Sequence, residues 1–293
     1  PVMQEAYRLA YIRKPEFMGN TRTEEKDPKF KVISDLPWSE QEINERLAAY
    51  RQLSDKVEQE WHALPAQKKE TYFQLVKYPV QAAAQMNNKL LTAQLARHGK
   101  ADWADSDRAY DSIVSLTKRY NTTKWNRMMD FQPRRLPVFN RVERKALSSG
   151  LLEKPQAVYT WNGADCVEGA SVICEGLGYE GKAVAVEKKK ELTFEFAAWE
   201  TDSVEVEVRL LPNHPVEGER LRFTISLDGS ATEAVSYETK GRSEEWKENV
   251  LCNQAVRRMV LPVARKASHR LIFTALDEGV VLDQIYLYMP RIK

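Results

Sequence analysis

The 293-residue sequence holds only three cysteines, Cys166, Cys174 and Cys252. An odd, small number builds no disulfide framework. Cys166 and Cys174 could face one another across a hairpin, though buried free thiols are the better reading. Histidine is nearly as scarce. His62, His98, His214 and His269 lie far from one another, and none has metal-ligand spacing to a second histidine or a cysteine, which argues against a zinc centre. Neither sign of charge dominates: 44 Lys and Arg stand against 42 Asp and Glu, a formal net charge of +2. A nucleic-acid binder would carry a larger or segregated positive excess. No apolar run approaches the roughly 18 residues of a membrane-crossing helix. The phosphate-binding loop and the Gly-x-Ser-x-Gly nucleophile elbow are also missing. Gly176-Leu177-Gly178-Tyr179-Glu180-Gly181 has the spacing of a dinucleotide fingerprint, but without a strand–helix–strand setting it reads as a tight turn. No cofactor is expected. The chain opens on Pro1 with no initiator methionine and no basic-then-apolar leader, so it reads as starting at a cut.

Two periodicities divide the rest. Ser39 and Glu42 have the spacing of a capping box, and Trp38 and Ile43 flank it as a hydrophobic staple. Ile43, Leu47, Tyr50, Leu53, Val57 and Trp61 then recur every three or four residues, one face of a helix. A second helix is expected from Pro65 to His98, kinked at Pro79 and stopped by Gly99. A third carries Tyr110, Ile113, Val114, Thr117 and Tyr120, and a short one at the N-terminus holds Tyr7, Leu9 and Tyr11. Beyond residue 154 the period becomes two: Val204, Val206, Val208 and Leu210 alternate with polar residues, as do Leu221, Phe223, Ile225 and Leu227. Further strands are expected near 192–196, 258–263, 271–275 and 282–288, with Asp228-Gly229 as a hairpin turn. The expected fold is an N-terminal antiparallel helical bundle over 1–130, a linker at 131–154 containing Pro133 and Pro137, and an antiparallel β-sandwich over 155–293.

Chemistry is sparse. Glycoside hydrolysis needs a pair of carboxyl groups around the scissile bond. Glu24-Glu25, Asp105 with Asp107, and Glu244-Glu245 all lie in polar stretches and read as solvated surface. No catalytic residue is assigned. Among the aromatics of the strand half, Trp161 and Trp199 read as packing, while Trp246, ringed by charged neighbours, is the candidate ligand contact. Trp125, beside Met128 and Met129, is expected to be a buried anchor.

Several segments, in order, resemble glycoside hydrolase family 115, the xylan α-glucuronidases. Arg13-Lys14-Pro15-Glu16-Phe17 looks like the exit from that family's catalytic barrel, and Tyr72 to Val80 with Met86-Asn87 like the core of its helical bundle. Lys124-Trp125-Asn126-Arg127-Met128-Met129 is similar to its Lys-Trp-Asn-x-Met-Met signature, and Gly176-Leu177-Gly178-Tyr179 and Gly279-Val280-Val281-Leu282-Asp283 resemble pieces of its last domain. Phe131-Gln132-Pro133-Arg134-Arg135-Leu136-Pro137 departs from the His-Ile-Gly-Tyr-like stretch of many members. The resemblance implies a non-catalytic C-terminal region of an enzyme that removes glucuronic acid or its 4-O-methyl ether from xylan. It also implies packing against an upstream catalytic domain of the same polypeptide, support of a homodimer, contact with xylan polysaccharide, and a periplasmic or secreted location. A carbohydrate-binding module is the alternative, and an enzyme with a site between the two halves a third reading.

Overall fold

The computed structural model describes residues 2–20, 33–145, 151–169 and 172–290. Glu24-Glu25 lies outside the described residues. Two compact units follow one another, Pro1–Lys154 and Pro155–Lys293.

The first unit is built on helices α1 (Val2–Ile12), α2 (Glu40–Ala63), α3 (Ala66–Tyr72), α4 (Tyr78–Arg97) and α5 (Trp103–Tyr120). The capping box at α2 forms: the Glu42 N–H donates to Ser39 Oγ at 3.3 Å, and the Ser39 N–H donates to Glu42 Oε2 at 2.8 Å. The helix expected from 65 to 98 is interrupted by one π-helical turn, Phe73–Lys77, in which the Tyr78 N–H reaches back five residues to the Phe73 carbonyl. Pro79 sits in the first turn of α4, where its missing N–H is no loss, and the widened turn before it takes up the steric conflict of a proline. Gly99, at φ +72°, ends α4 in a Schellman arrangement: the Lys100 N–H donates to the Leu95 carbonyl at 2.9 Å and the Gly99 N–H to Ala96 at 3.1 Å.

Helix α4 is the mast of this unit. From Lys89 to Arg97 every residue is buried, as a helix must be when other elements cover all its faces. Lys89, Gln94 and Arg97 are satisfied by non-helical segments, which they fasten to it. Gln94 accepts from the Leu36 N–H at 3.0 Å and donates to the Leu36 carbonyl at 2.9 Å, as a neighbouring strand would. Lys89 donates to the carbonyls of Val138 at 2.6 Å and Asn140 at 2.8 Å, and burial pushes its amine down to about 7. Asn87 accepts from Arg46 Nε at 2.7 Å, while Arg46 Nη2 donates to the Arg13 carbonyl at 2.8 Å. The early part of 131–154, expected as a linker, therefore belongs to the helical unit: Val138 and Val142 are buried, with Phe131, Leu136 and Phe139 against the same core. Prolines at 133 and 137 stop regular structure there without freeing the chain. Helix α1 joins through Val2 and Leu9, against Tyr50, Leu53 and Val57, and leaves Tyr7 exposed.

The second unit is a sandwich of two antiparallel sheets. One has the order β2 (Val172–Ile173), β3 (Val184–Val186), β11 (Val280–Tyr288), β5 (Ser203–Leu210), β9 (Ala255–Pro262), with β1 (Tyr159–Asn162) also paired to β11. The other runs β4 (Glu191–Ala197), β10 (Ser268–Ala275), β6 (Arg222–Leu227), β7 (Ser230–Ala231), with β8 (Val235–Ser236) on β6. Alternation fills the interior with Val204, Val206, Val208, Phe194, Phe223, Ile225, Phe273 and Ile285, all fully buried. Each such side chain contributes about 1.5–3 kcal/mol of apolar burial. Asp228-Gly229 makes the β6–β7 turn with both residues at positive φ, 52° and 92°. A short helix, α6 (Glu244–Cys252), capped by Ser243, precedes β9.

Candidate functional site

Among the described residues, the acidic residues singled out from sequence are each held by a cation. Asp105 meets Arg108, Asp107 meets Arg141 and Arg144, Glu244 meets Lys247, and Glu245 meets Arg257. A shallow cavity of about 460 Å³ on the sandwich contains Asp277, but Arg222 grips that carboxylate with two bonds of 2.8 Å and holds it below its ordinary range, while Glu217 and Glu219 on the rim are exposed. Nothing there pairs an acid with a base. Among the described residues no cluster of His, Cys, Asp and Glu could hold a metal ion. His98 and His269 each sit on one aspartate instead, Asp35 at 2.7 Å and Asp228 at 2.8 Å. Cys166 and Cys174 do not pair, and both are half-exposed rather than buried.

Trp161 and Trp199 pack as expected, in an aromatic layer with Tyr159, Phe194 and Phe196. Trp246 stands apart. It lies in the first turn of α6, half-buried, with its N–H donating to the Ser243 cap, and has no ring partner among the described residues.

Two glycine-bearing segments, far apart in sequence, meet. The Tyr179 N–H donates to both oxygens of Asp283, at 3.0 and 3.1 Å, and Gln254 Nε2 adds a third bond at 2.8 Å. Burial nonetheless raises the Asp283 carboxyl, against the pull of these donors. Gly178, at φ +91°, passes so close that a Cβ would come within 2.3 Å of Asp283 Oδ1. On the outward face of the same sheet a row of hydrogen bonds crosses four strands. Gln284 donates to Asn162, Tyr286 to Gln284, Arg209 to Tyr286, and Arg209 and Arg258 both to Glu207 at 2.7 Å. Burial pushes Glu207 up, but the two guanidinium groups outweigh it, and the carboxyl stays below its ordinary value.

An exposed constellation lies in the helical unit, on the loop after α5. Asn121 closes it at both ends of one amide: Nδ2 donates to the Met129 carbonyl at 2.8 Å and Oδ1 accepts the Met129 N–H at 3.2 Å. Inside, a turn from Trp125 to Met128 closes at 3.1 Å with Arg127 at φ +62°. Trp125 is 41% exposed and Met128 61%, which corrects the expected buried anchor: neighbouring methionines signalled a core, but the turn carries this run outward. Trp125 Nε1 donates to Gln74 Oε1, Gln74 Nε2 donates to Thr123 Oγ1 at 3.3 Å, and the Trp125 N–H donates to the same hydroxyl at 3.3 Å.

Comparison with known proteins gives this architecture its class, the C-terminal portion of a glycoside hydrolase. Residues 170–293 match the glycosyl hydrolase family 115 C-terminal domain. The solved structure of BtGH115A, described as a family GH115 4-O-methyl-α-glucuronidase with specificity for decorated arabinogalactans, is 62% identical, with a TM-score of 0.96 over 99% of this chain. The chain belongs to glycoside hydrolase family 115, as its C-terminal region. It spans 39% of the length of BtGH115A. A family 35 carbohydrate-binding module from an environmental isolate matches at 10% identity, covering 45% of this chain and 93% of its own, with a TM-score of 0.36. A module from Cellvibrio mixtus lichenase 5A matches at 13% identity over 46% and 100%, with a TM-score of 0.33. Neither likeness bears on function. No curated protein matches.

Proposed function

We propose that this chain is the non-catalytic C-terminal part of an α-glucuronidase that removes glucuronic acid, or its 4-O-methyl ether, from a decorated plant polysaccharide. The observation that carries this reading is the 62% identity to BtGH115A along nearly the whole chain, which leaves most of that enzyme's length unmatched. The site chemistry agrees. Retaining or inverting hydrolysis asks for two carboxyl groups about 5–9.5 Å apart with room for sugar or water between them. Here the candidate carboxylates are spent on guanidinium and ammonium partners. The catalytic barrel belongs to the rest of the polypeptide, which these two units pack against and support, and the enzyme works in the periplasm or outside the cell. The polysaccharide is arabinogalactan in preference to xylan, because the relative's described specificity outweighs the broader family resemblance.

The chain alone, incubated with glucuronidated arabinogalactan and with glucuronoxylan, is expected to release no uronic acid, whereas the whole polypeptide releases it. Uronate release by the chain alone would sink the proposal.

A further inference from the structure

We propose that the Trp125 loop is a glycan-stacking platform, a binding site on the helical unit for a pyranose of the acidic polysaccharide on which the whole enzyme acts. The substrate class rests on the function proposed above; the platform itself rests on geometry.

An exposed tryptophan ordinarily keeps its rotamers, because fixing a large side chain in water costs entropy with no burial in return. Trp125 is fixed all the same. Gln74 accepts from the indole N–H, Thr123 links Gln74 to the Trp125 backbone N–H, and Asn121 shuts the loop at its base. This bracket is itself fully used. Gln74 Nε2 also donates to Glu70 Oε1 at 3.2 Å, and Thr123 Oγ1 donates to the Tyr120 carbonyl at 2.7 Å. The arrangement holds a flat ring in one orientation before any ligand arrives, which removes the ordering cost from binding. Such an aromatic face suits the C–H face of a pyranose, whose hydrogens are polarised by the ring oxygen and hydroxyls and meet the negative π-cloud.

What surrounds the ring names the ligand. Lys124 Nζ lies 5.4 Å from the indole centroid. Asn126 and Arg127, on the exposed turn, add an amide and a guanidinium. A cation over one face of the plate, with a second cation and an amide on the following residues of the turn, fits hydroxyls and a uronate carboxylate. Arg127 is held at φ +62°, a conformation that a non-glycine residue adopts only under strain. The loop thus spends backbone strain to present this side chain. Leu75, 67% exposed, sits on the π-helical turn one residue from Gln74, so the irregular turn that accommodates Pro79 also shapes the platform's edge. A protein-docking surface is the competing occupant, but the polar residues on the turn outnumber Leu75 and Met128, and a docking core would bury those charges without partners.

The test is affinity electrophoresis of the intact chain in native gels cast with glucuronidated arabinogalactan, glucuronoxylan, the same arabinogalactan made neutral by reduction of its carboxyl groups, or an unrelated β-glucan. The wild-type chain is expected to be retarded most by the glucuronidated gels. W125A should weaken retardation about tenfold, one decade in the dissociation constant, with a melting temperature close to wild type. Trp125→Gln, a polar residue at an exposed position, repeats the measurement should the alanine variant misfold. K124A should lower the preference for glucuronidated over neutral polymer. Retardation by the β-glucan, equally dependent on Trp125, supports the platform and removes the substrate reading. A wild-type chain unretarded in every gel, or a folded W125Q variant retarded as strongly as wild type, overturns the platform. So does an outcome in which Trp125 substitutions leave every gel unchanged and abolish association with the preceding part of the polypeptide, which makes the patch a protein contact.

Discussion

Gly178 and Gly176 both occupy left-handed backbone, at φ +91° and +77°, and lie two residues apart on one loop, yet they should respond to alanine very differently. A Cβ at Gly176 meets nothing within 4 Å. Its cost is conformational alone, about 1 kcal/mol for placing a side chain at positive φ. A Cβ at Gly178 meets Asp283 Oδ1 at 2.3 Å and the Ala183 Cβ at 2.9 Å. Asp283 is the buried acceptor for Tyr179 and Gln254 and has no open space to retreat into. Moving it weakens hydrogen bonds worth about 1.5–3 kcal/mol when the acceptor is charged, and the crowding adds about 1–3 kcal/mol. With the same conformational cost added, Gly178→Ala should therefore cost about 3.5–7 kcal/mol in the sandwich. Calorimetric scans of the chain would show the sandwich transition of G178A lowered by on the order of 10–20 °C, against a few degrees for G176A. Far-UV dichroism at 20 °C should remain that of a folded protein in both. Equal destabilisation by the two variants would refute the reasoning, since it would mean that the strained backbone alone, and not the Asp283 clamp, requires glycine at 178.

Three further outcomes follow from features of the two units. Glu207→Gln should cost about 3–5 kcal/mol, because it strips a buried counter-charge from Arg209 and Arg258; as the Glu207 carboxyl titrates below its ordinary 4.5, its contribution is present above that value and lost as pH falls through the folded pKa, so the wild-type acid transition, followed by tryptophan fluorescence, should be steeper than that of E207Q. Lys89 works with the opposite sign: its amine is pushed from 10.5 down to about 7, so between those values the unfolded chain holds one more proton and the helical unit gains stability as pH rises, on the order of 1–4 kcal/mol, readable as a higher urea midpoint at pH 9.5 than at pH 7 and absent in K89M. Ser39→Ala removes the capping box of α2 and should lower the stability of the helical unit by about 1 kcal/mol in urea titrations.

Much of the architecture was legible because long elements carry their period openly. The α2 stripe from Ile43 to Val57 and the alternation of β5 and β6 each repeat enough times to exclude the other class. Short or non-periodic features were opaque. Helix α6 spans one charged stretch between strands, and its only local sign is Ser243 followed by Glu244-Glu245. The packing of 136–142 on α4 depends on Lys89 and on Val138, a contact across 49 residues that no local pattern encodes. Arg46, buried on the apolar stripe of α2, would be scored as an outward residue by charge, yet it lies over the rings of Trp38 and Tyr50 at 5.2 Å from each centroid. Trp125 failed for a related reason. Composition reported an apolar cluster, while the direction it faces is set by the Arg127 turn, and a single left-handed arginine has no signature in sequence.

The hydrogen-bonded row from Asn162 to Arg258 also works as an alignment key for assembly. Glu207 stands opposite Tyr286 on one side and Arg258 on the other, and Gln284 stands opposite both Asn162 and Arg209. Sliding β5 by one residue along either neighbour would turn Glu207 and Arg209 inward among Val206 and Val208's former partners, and leave two charges in apolar surroundings. A slide by two would keep the faces but separate the glutamate from one guanidinium and the tyrosine from its donor. Apolar strands rich in valine tolerate several offsets with similar burial, so hydrophobicity alone would leave this sheet several near-equal alignments. The polar row makes all but one of them expensive.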